Sequence, residues 1–134
     1  PPTVTDSAEQ HFEHGLMLWN RAEDLIYVLF EEEDPQWRAY SDRWEEGDPV
    51  SDPNIEPPPG LYQPIRGFGL LWREESGIRE RLGWAVDQEQ GYETALQSTS
   101  HYRYRDLYIR ALDGGVWKLG PNGSSWEVIP TEGG

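Results

Sequence analysis

The sequence predicts a mainly β domain with one or two short helices, an α+β arrangement, and three observations carry that reading. Apolar and aromatic runs of about six residues recur between polar turns, as in Leu25-Ile26-Tyr27-Val28-Leu29-Phe30. Gly, Pro, Asp and Asn punctuate the chain at the places where those runs stop. Helical spacing is confined to one short region after residue 69.

Residues 1–8 open with Pro1-Pro2-Thr3-Val4-Thr5-Asp6-Ser7 and read as linker, as expected of a mature product or a piece of a longer precursor. Residues 9–44 form a first β-hairpin unit. Phe12 to Trp19 lead through the polar turn Asn20-Arg21-Ala22-Glu23-Asp24 into the run at 25–30. The acidic turn Glu31-Glu32-Glu33-Asp34-Pro35 follows, then residues 37–44 as a third strand or a short amphipathic piece. Residues 45–60 shift to Asp, Pro, Ser and Gly and end in Pro57-Pro58-Pro59-Gly60. Prolines fix φ and remove N–H donors, so this is a loop and not an element.

Residues 61–130 hold helix and a second hairpin unit. Leu70-Leu71-Trp72-Arg73-Glu74-Glu75 reads as a short helix; a second follows, capped by Ser76 and ended by Gly83. Asp87 to Gly91 is polar. Tyr102-Arg103-Tyr104-Arg105 alternates and 107–112 continues it. Asp113-Gly114-Gly115 is a hairpin turn, Val116-Trp117-Lys118-Leu119 the returning strand, and Trp126-Glu127-Val128-Ile129 a closing one. Residues 131–134 are a tail. The two hairpin units share a loose pattern, an apolar run, an acidic turn and then a tryptophan, which suggests an internal repeat. All of this fits one compact domain.

The 134 residues carry a formal charge of −14 and no cysteine. Phosphate backbones are bound by Lys and Arg clusters, so nucleic acid is not an expected partner. A disulfide framework, a thiolate zinc site and a Cys nucleophile are excluded. No apolar run reaches the ~20 residues of a membrane helix. No nucleophile elbow, phosphate loop or Ser/His/Asp order appears, and with 25 acids a catalytic carboxylate pair has no distinctive signature. A non-enzymatic role is expected.

Two features hold candidate ligand chemistry. Seven Trp and seven Tyr are a large aromatic complement, and sugar rings stack on such faces. Most must build the core, because Leu, Ile and Val are not abundant. Trp37 and Trp117 stand at matching places after the two hairpin turns, and Trp44 lies beside the loop; these three are the expected binding residues. Asp48, Asp52, Asn54 and Glu56 offer one loop's worth of the oxygen ligands calcium takes. Their spacing is not that of a helix-loop-helix site, and the plainer reading is a solvated acidic loop. His11 and His14 flank Glu13, but on a strand positions three apart face opposite sides, so no shared ion is expected.

The segment Leu82-Gly83-Trp84-Ala85, with Asp87, Glu89 and Gln97 after it, resembles the LGFP repeat of bacterial cell-surface proteins. Gln10-His11-Phe12-Glu13-His14-Gly15 followed by Met17-Leu18-Trp19 resembles that repeat's Gln-x-Phe-x-x-Gly segment. Ala85 stands where the repeat has proline, Gln97 lacks the Phe-x-x-Gly continuation, and the loop at 45–60 has no counterpart. The resemblance implies half a unit at 9–44, a fuller one at 62–119, and an extracellular, non-catalytic module bound to wall polysaccharide or an envelope protein. The alternatives kept beside it are a structural subunit of a surface assembly, self-associating through an edge such as 126–129, and a glycan hydrolase or its accessory domain.

Overall fold

The computed structural model describes residues 2–101 and 104–130. The chain is mainly β. Eight antiparallel strands, β1 (Thr3–Phe12), β2 (Gly15–Asn20), β3 (Leu25–Phe30), β4 (Gln36–Ser41), β5 (Gln90–His101), β6 (Tyr104–Arg110), β7 (Val116–Leu119) and β8 (Trp126–Ile129), lie in one sheet of order β4-β3-β2-β1-β5-β6-β7-β8. Two short helices, α1 (Arg66–Glu74) and α2 (Ile78–Leu82), lie between the halves in sequence. The topology is two four-stranded meanders joined through their first strands, β1 and β5.

The sheet curls into a nearly closed barrel. On a flat sheet β3 and β8 would stand six strand spacings, roughly 29 Å, apart. Instead the Trp126 indole N–H on β8 donates to the Phe30 carbonyl at the end of β3, at 2.9 Å. Reciprocally, the Trp37 indole N–H on β4 donates to the Gly120 carbonyl after β7, at 3.0 Å. No backbone ladder joins β4 to β8 among the described residues.

Strand alternation then gives two cores, one on each face of the sheet. Leu16, Leu18, Tyr27 and Leu29 from the first meander share the barrel interior with Leu96, Ile109, Trp117 and Leu119 from the second. Residues one position out of phase, such as Phe12, Met17, Ile26, Val28 and Phe30, face outward and pack beneath the helices, against Phe68, Leu71, Trp72, Ile78 and Leu82. Fully buried Phe and Trp side chains such as Phe30 and Trp72 hold this second layer; truncating one to Ala typically costs about 3–5 kcal/mol.

The two stretches that carry the family resemblance lie against each other. The Glu13 N–H donates to the Trp84 carbonyl and the His14 N–H to the Leu82 carbonyl, both at 2.9 Å. Gln10 Nε2 donates to the Asp87 carbonyl and the His11 N–H to Asp87 Oδ1. Gly83 sits at φ +76, and a Cβ there would stand 2.6 Å from Glu13 Oε1. The Leu-Gly-Trp turn is thus locked onto the start of the first hairpin.

Several expectations change. Residues 3–8 are not linker: they are strand, paired with β5 from Thr3↔Leu96 to Ala8↔Gly91, and this long-range ladder orders them in place of any local apolar period. β5 itself was not expected, because its Gln, Glu, Ser and Thr residues hide the alternation of Tyr92, Thr94 and Leu96 toward the interior. Helix α1 starts earlier than 70, at Arg66, and α2 is preceded by Gly77 at φ +86 with no side-chain cap from Ser76. The expected correspondence of Trp37 with Trp117, at matching places after the two hairpin turns, also shifts. Trp37 lies on the outermost strand of its meander, whose topological counterpart is β8 and its Trp126. Helix α2 ends at Gly83, and β8 occupies 126–129, as the sequence reading has them. The segment 45–60 contains no helix or strand. The alternation read at 102–103 and the tail at 131–134 fall outside the described residues.

Candidate functional site

The best-formed groove lies on the outer face of the sheet, where α1 begins. Its volume is about 330 Å³, at the low end of the 300–1,000 Å³ common for small-molecule clefts. Ala8 and Ile26 from β1 and β3 form the floor, and Phe68 of α1 one wall. Two indoles reach it. Trp19 lies on the outward phase of β2, and its N–H donates to Asp24 Oδ1 at 3.0 Å. Trp44 follows β4, and its N–H donates to the Pro49 carbonyl at 3.1 Å. Each indole therefore has its polar edge satisfied by its own loop.

The charged residues of the groove are Asp42, Glu46, Glu89 and Arg66. Asp42 is fixed by the chain just after β4. Its Oδ1 accepts the Trp44 backbone N–H at 3.1 Å. The start of α1 presses on it so closely that a Cβ on Gly67 would lie 2.5 Å from Oδ1, which is why a glycine stands there. Burial pushes the Asp42 carboxyl up from its ordinary pKa, the Trp44 N–H opposes this, and the Asp24 charge adds to it. Glu89 precedes β5. Gln90 stands opposite Glu9 in the ladder, so Glu89, one residue out of phase, turns to the outer face. Burial raises its pKa too, against the pull of Arg66 and with the push of Asp42. Its carboxylate accepts no hydrogen bond among the described residues. Arg66 holds φ +51, an uncommon value for a side-chain-bearing residue, and its backbone N–H donates to the Val50 carbonyl. Its guanidinium makes no ion pair within 4.0 Å among the described residues.

The three expected tryptophans are not brought together. Trp44 lines the groove just described. Trp37 lines a second cleft of about 320 Å³ at one mouth of the barrel, with Tyr27, Glu23 and Leu107; its ring stands 5.7 Å from that of Tyr27. Trp117 is 8 % exposed and belongs to the barrel interior, 6.0 Å from Trp126.

At the Trp117 end of the barrel lies a polar cluster saturated with hydrogen bonds. Glu9, 6 % exposed, takes the Leu112 N–H at 3.2 Å and the Trp117 indole N–H at 3.3 Å on Oε1. Its Oε2 pairs with His11 Nε2 at 2.7 Å. Burial alone would raise the Glu9 pKa, but the hydrogen bonds from His11, Leu112 and Trp117 outweigh it and hold the carboxyl below its ordinary value. The hydrogen bond to Glu9 raises the His11 pKa, burial opposes it, and the charges of Glu9, Asp87 and Asp113 reinforce it. Tyr92, whose hydroxyl donates to the Arg110 carbonyl at 2.8 Å, is pushed up by burial and by Glu9 and stays a neutral donor.

The loop carboxylates proposed for calcium serve their own turns. Asp48 Oδ2 accepts the Glu45 N–H and Asp52 Oδ1 the Asn54 N–H. Gln63 ties the loop down, donating to the Asp52 and Ile55 carbonyls and accepting the Asp52 N–H. Asn54 and Glu56 are exposed. Among the described residues no three His, Cys, Asp or Glu side chains converge as metal ligands.

Sequence reasoning missed Asp42, Glu89 and Arg66 as groove residues; Trp19, one of the tryptophans expected in the core, packs against it and also lines the groove. A local cue existed for one of them: Arg66 opens the Gly-flanked run Arg66-Gly67-Phe68-Gly69, which places a helix start against a neighbour. Compared with known proteins, the chain matches no family model, no curated sequence and no solved structure.

Proposed function

We propose that this chain is a non-enzymatic binding module that holds a carbohydrate in the groove between the start of α1 and the outer face of the sheet. The observation that supports it is the meeting, in one cleft, of two indoles with Glu89, which accepts no hydrogen bond among the described residues, and Asp42, which accepts only the Trp44 N–H. Sugars are recognised by that mixture: an apolar ring face against an aromatic, and hydroxyls to carboxylates. The cell-envelope setting rests on the resemblance to the LGFP repeat, and with it the reading of the two meanders as copies of one ancestral hairpin unit.

The test is titration of the chain with soluble glycans, followed by tryptophan fluorescence, for the parent and for Trp44→Ala, Trp37→Ala and Trp117→Phe. The proposal expects saturable binding that Trp44→Ala weakens about tenfold, or about 1.4 kcal/mol. Binding lost only with Trp37→Ala would move the site to the barrel mouth, and glycan turnover would replace the module by an enzyme.

A second reading has its own support. β8 is an edge strand, and Val128 and Ile129 on it are 48 % and 43 % exposed. Such an edge offers unpaired backbone groups to another copy. Light scattering on a size-exclusion column, with and without calcium, separates the two: a species near 15.5 kDa leaves the glycan module, and a large one makes the chain a subunit of an assembly.

A further inference from the structure

We infer that the ligand of the groove bears a positive charge, an aminated sugar whose ammonium is held by Asp42 and Glu89 while Trp44 takes the apolar face of the ring. This rests on the groove being the carbohydrate site, and names the class of sugar it takes.

Charge sign is the first argument. The groove presents the carboxylates of Asp42, Glu46 and Glu89 against the single guanidinium of Arg66. An acidic sugar would meet net repulsion. A neutral one offers the carboxylates hydroxyl donors in place of water but brings no counter-charge to the net negative groove. A cation removes that cost and gains a charge-assisted hydrogen bond.

Satisfaction is the second argument. Where this chain buries a carboxylate for structural ends, it surrounds it with donors: Glu9 has the Leu112 N–H, the Trp117 N–H and His11. In the groove, Asp42 receives one backbone N–H on Oδ1, and neither its Oδ2 nor the Glu89 carboxylate has a donor among the described residues. Both carboxyls have pKa values raised by burial, and each would be relieved by a bound cation. The third argument is the aromatic wall. An ammonium or the polarised C–H face beside it is attracted to an indole face within about 6 Å, and Trp19 and Trp44 both line the cleft.

The experiment titrates the full chain, at neutral pH and low salt, with three β-1,4-linked disaccharides: of glucosamine, of N-acetylglucosamine and of glucose. They share ring and linkage and differ in charge. Glucosamine disaccharide is expected to bind about tenfold tighter than the other two. In Asp42→Asn with Glu89→Gln that preference should collapse. A control of equal net charge, Glu31→Gln with Glu33→Gln at exposed positions, should keep the preference and so separate the groove from the general acidity of the chain. Equal binding of all three, lost in Trp44→Ala, overturns the charge inference and leaves the carbohydrate reading standing. No binding of any of the three, with Trp44 fluorescence unmoved, overturns both. A preference lost equally in the Glu31/Glu33 control overturns the assignment to Asp42 and Glu89.

Discussion

Glu9 lies on β1 and Glu89 just before β5, the strand that pairs with it, Glu9 opposite Gln90, and their environments could hardly differ more. Glu9 points into the barrel, meets the Leu112 and Trp117 N–H groups and His11, and is held below its ordinary pKa although burial pushes it upward. Glu89 points out under the start of α1, accepts nothing from the described residues, and is raised by the same burial. Burial is common to both; the number of donors decides the sign. A carboxylate saturated by its own fold stabilises that fold. A carboxylate half-buried and unsatisfied makes the fold slightly less stable and leaves capacity for something else to bind.

The comparison can be broken most sharply at Glu9. Glu9→Ala should cost about 3 kcal/mol of unfolding free energy, since it leaves His11 and two donors without their acceptor, and urea denaturation reads it. The pH dependence carries the sign. A folded pKa below the unfolded value of 4.5 means the Glu9 contribution is present above pH 4.5 and is lost as pH falls through the lowered value. Stability that stayed flat from pH 6 down to pH 3 would remove Glu9 from its structural role.

The next largest effect belongs to the groove. Trp44→Ala should weaken ligand by about tenfold yet shift the urea midpoint little, because Trp44 is only partly buried and its indole N–H bonds a loop carbonyl. A loss of stability comparable to that of Glu9→Ala would show Trp44 to be core. His11→Ala comes third, at about 0.5–1 kcal/mol, the side chain being 39 % exposed. Its folded pKa is raised, so the contribution is complete below pH 6.5 and fades as pH climbs through the raised value. The cost of the substitution should therefore be greater at pH 6 than at pH 9.

Smallest, and opposite in direction, is Asp42→Asn with Glu89→Gln. Carboxyls raised in the folded state favour folding when protonated and oppose it when ionised. The double variant should gain up to about 0.5 kcal/mol at pH 7, and the gain should fade as pH falls through the raised values and vanish below the ordinary values of 4.5 and 3.8. A loss at pH 7 would mean that the groove carboxylates are already satisfied.

Much of the barrel was legible in the sequence and its closing pieces were not. The run at 25–30, the Asp113-Gly114-Gly115 turn and the strand at 126–129 announce themselves by apolar period and turn chemistry. β5 does not, because it spends its outward positions on Glu93 and Gln97 and pairs on both sides through backbone bonds that any residue can make. The first strand was hidden by two leading prolines and a polar composition. In the site, Trp44 could be picked out beside its loop, whereas Asp42 and Glu89 are two acids among 25. What sets them apart is the helix start that covers one and the strand phase that turns the other outward, and both arise only when residues far apart in sequence meet.

The seam of the barrel has a mechanical meaning. β1 to β3 and β5 to β7 are each stitched to two neighbours by backbone ladders, but β4 and β8 meet across a gap spanned by the indoles of Trp37 and Trp126. The molecule is fastened there like a book with two clasps. Releasing both unfastens the seam without unpicking one peptide ladder, and what then holds the covers is the packing of Trp37 and Trp126 against the shared interior. Amide exchange should show that order, fastest along the outer edges of β4 and β8 and slowest on the spine where β1 meets β5.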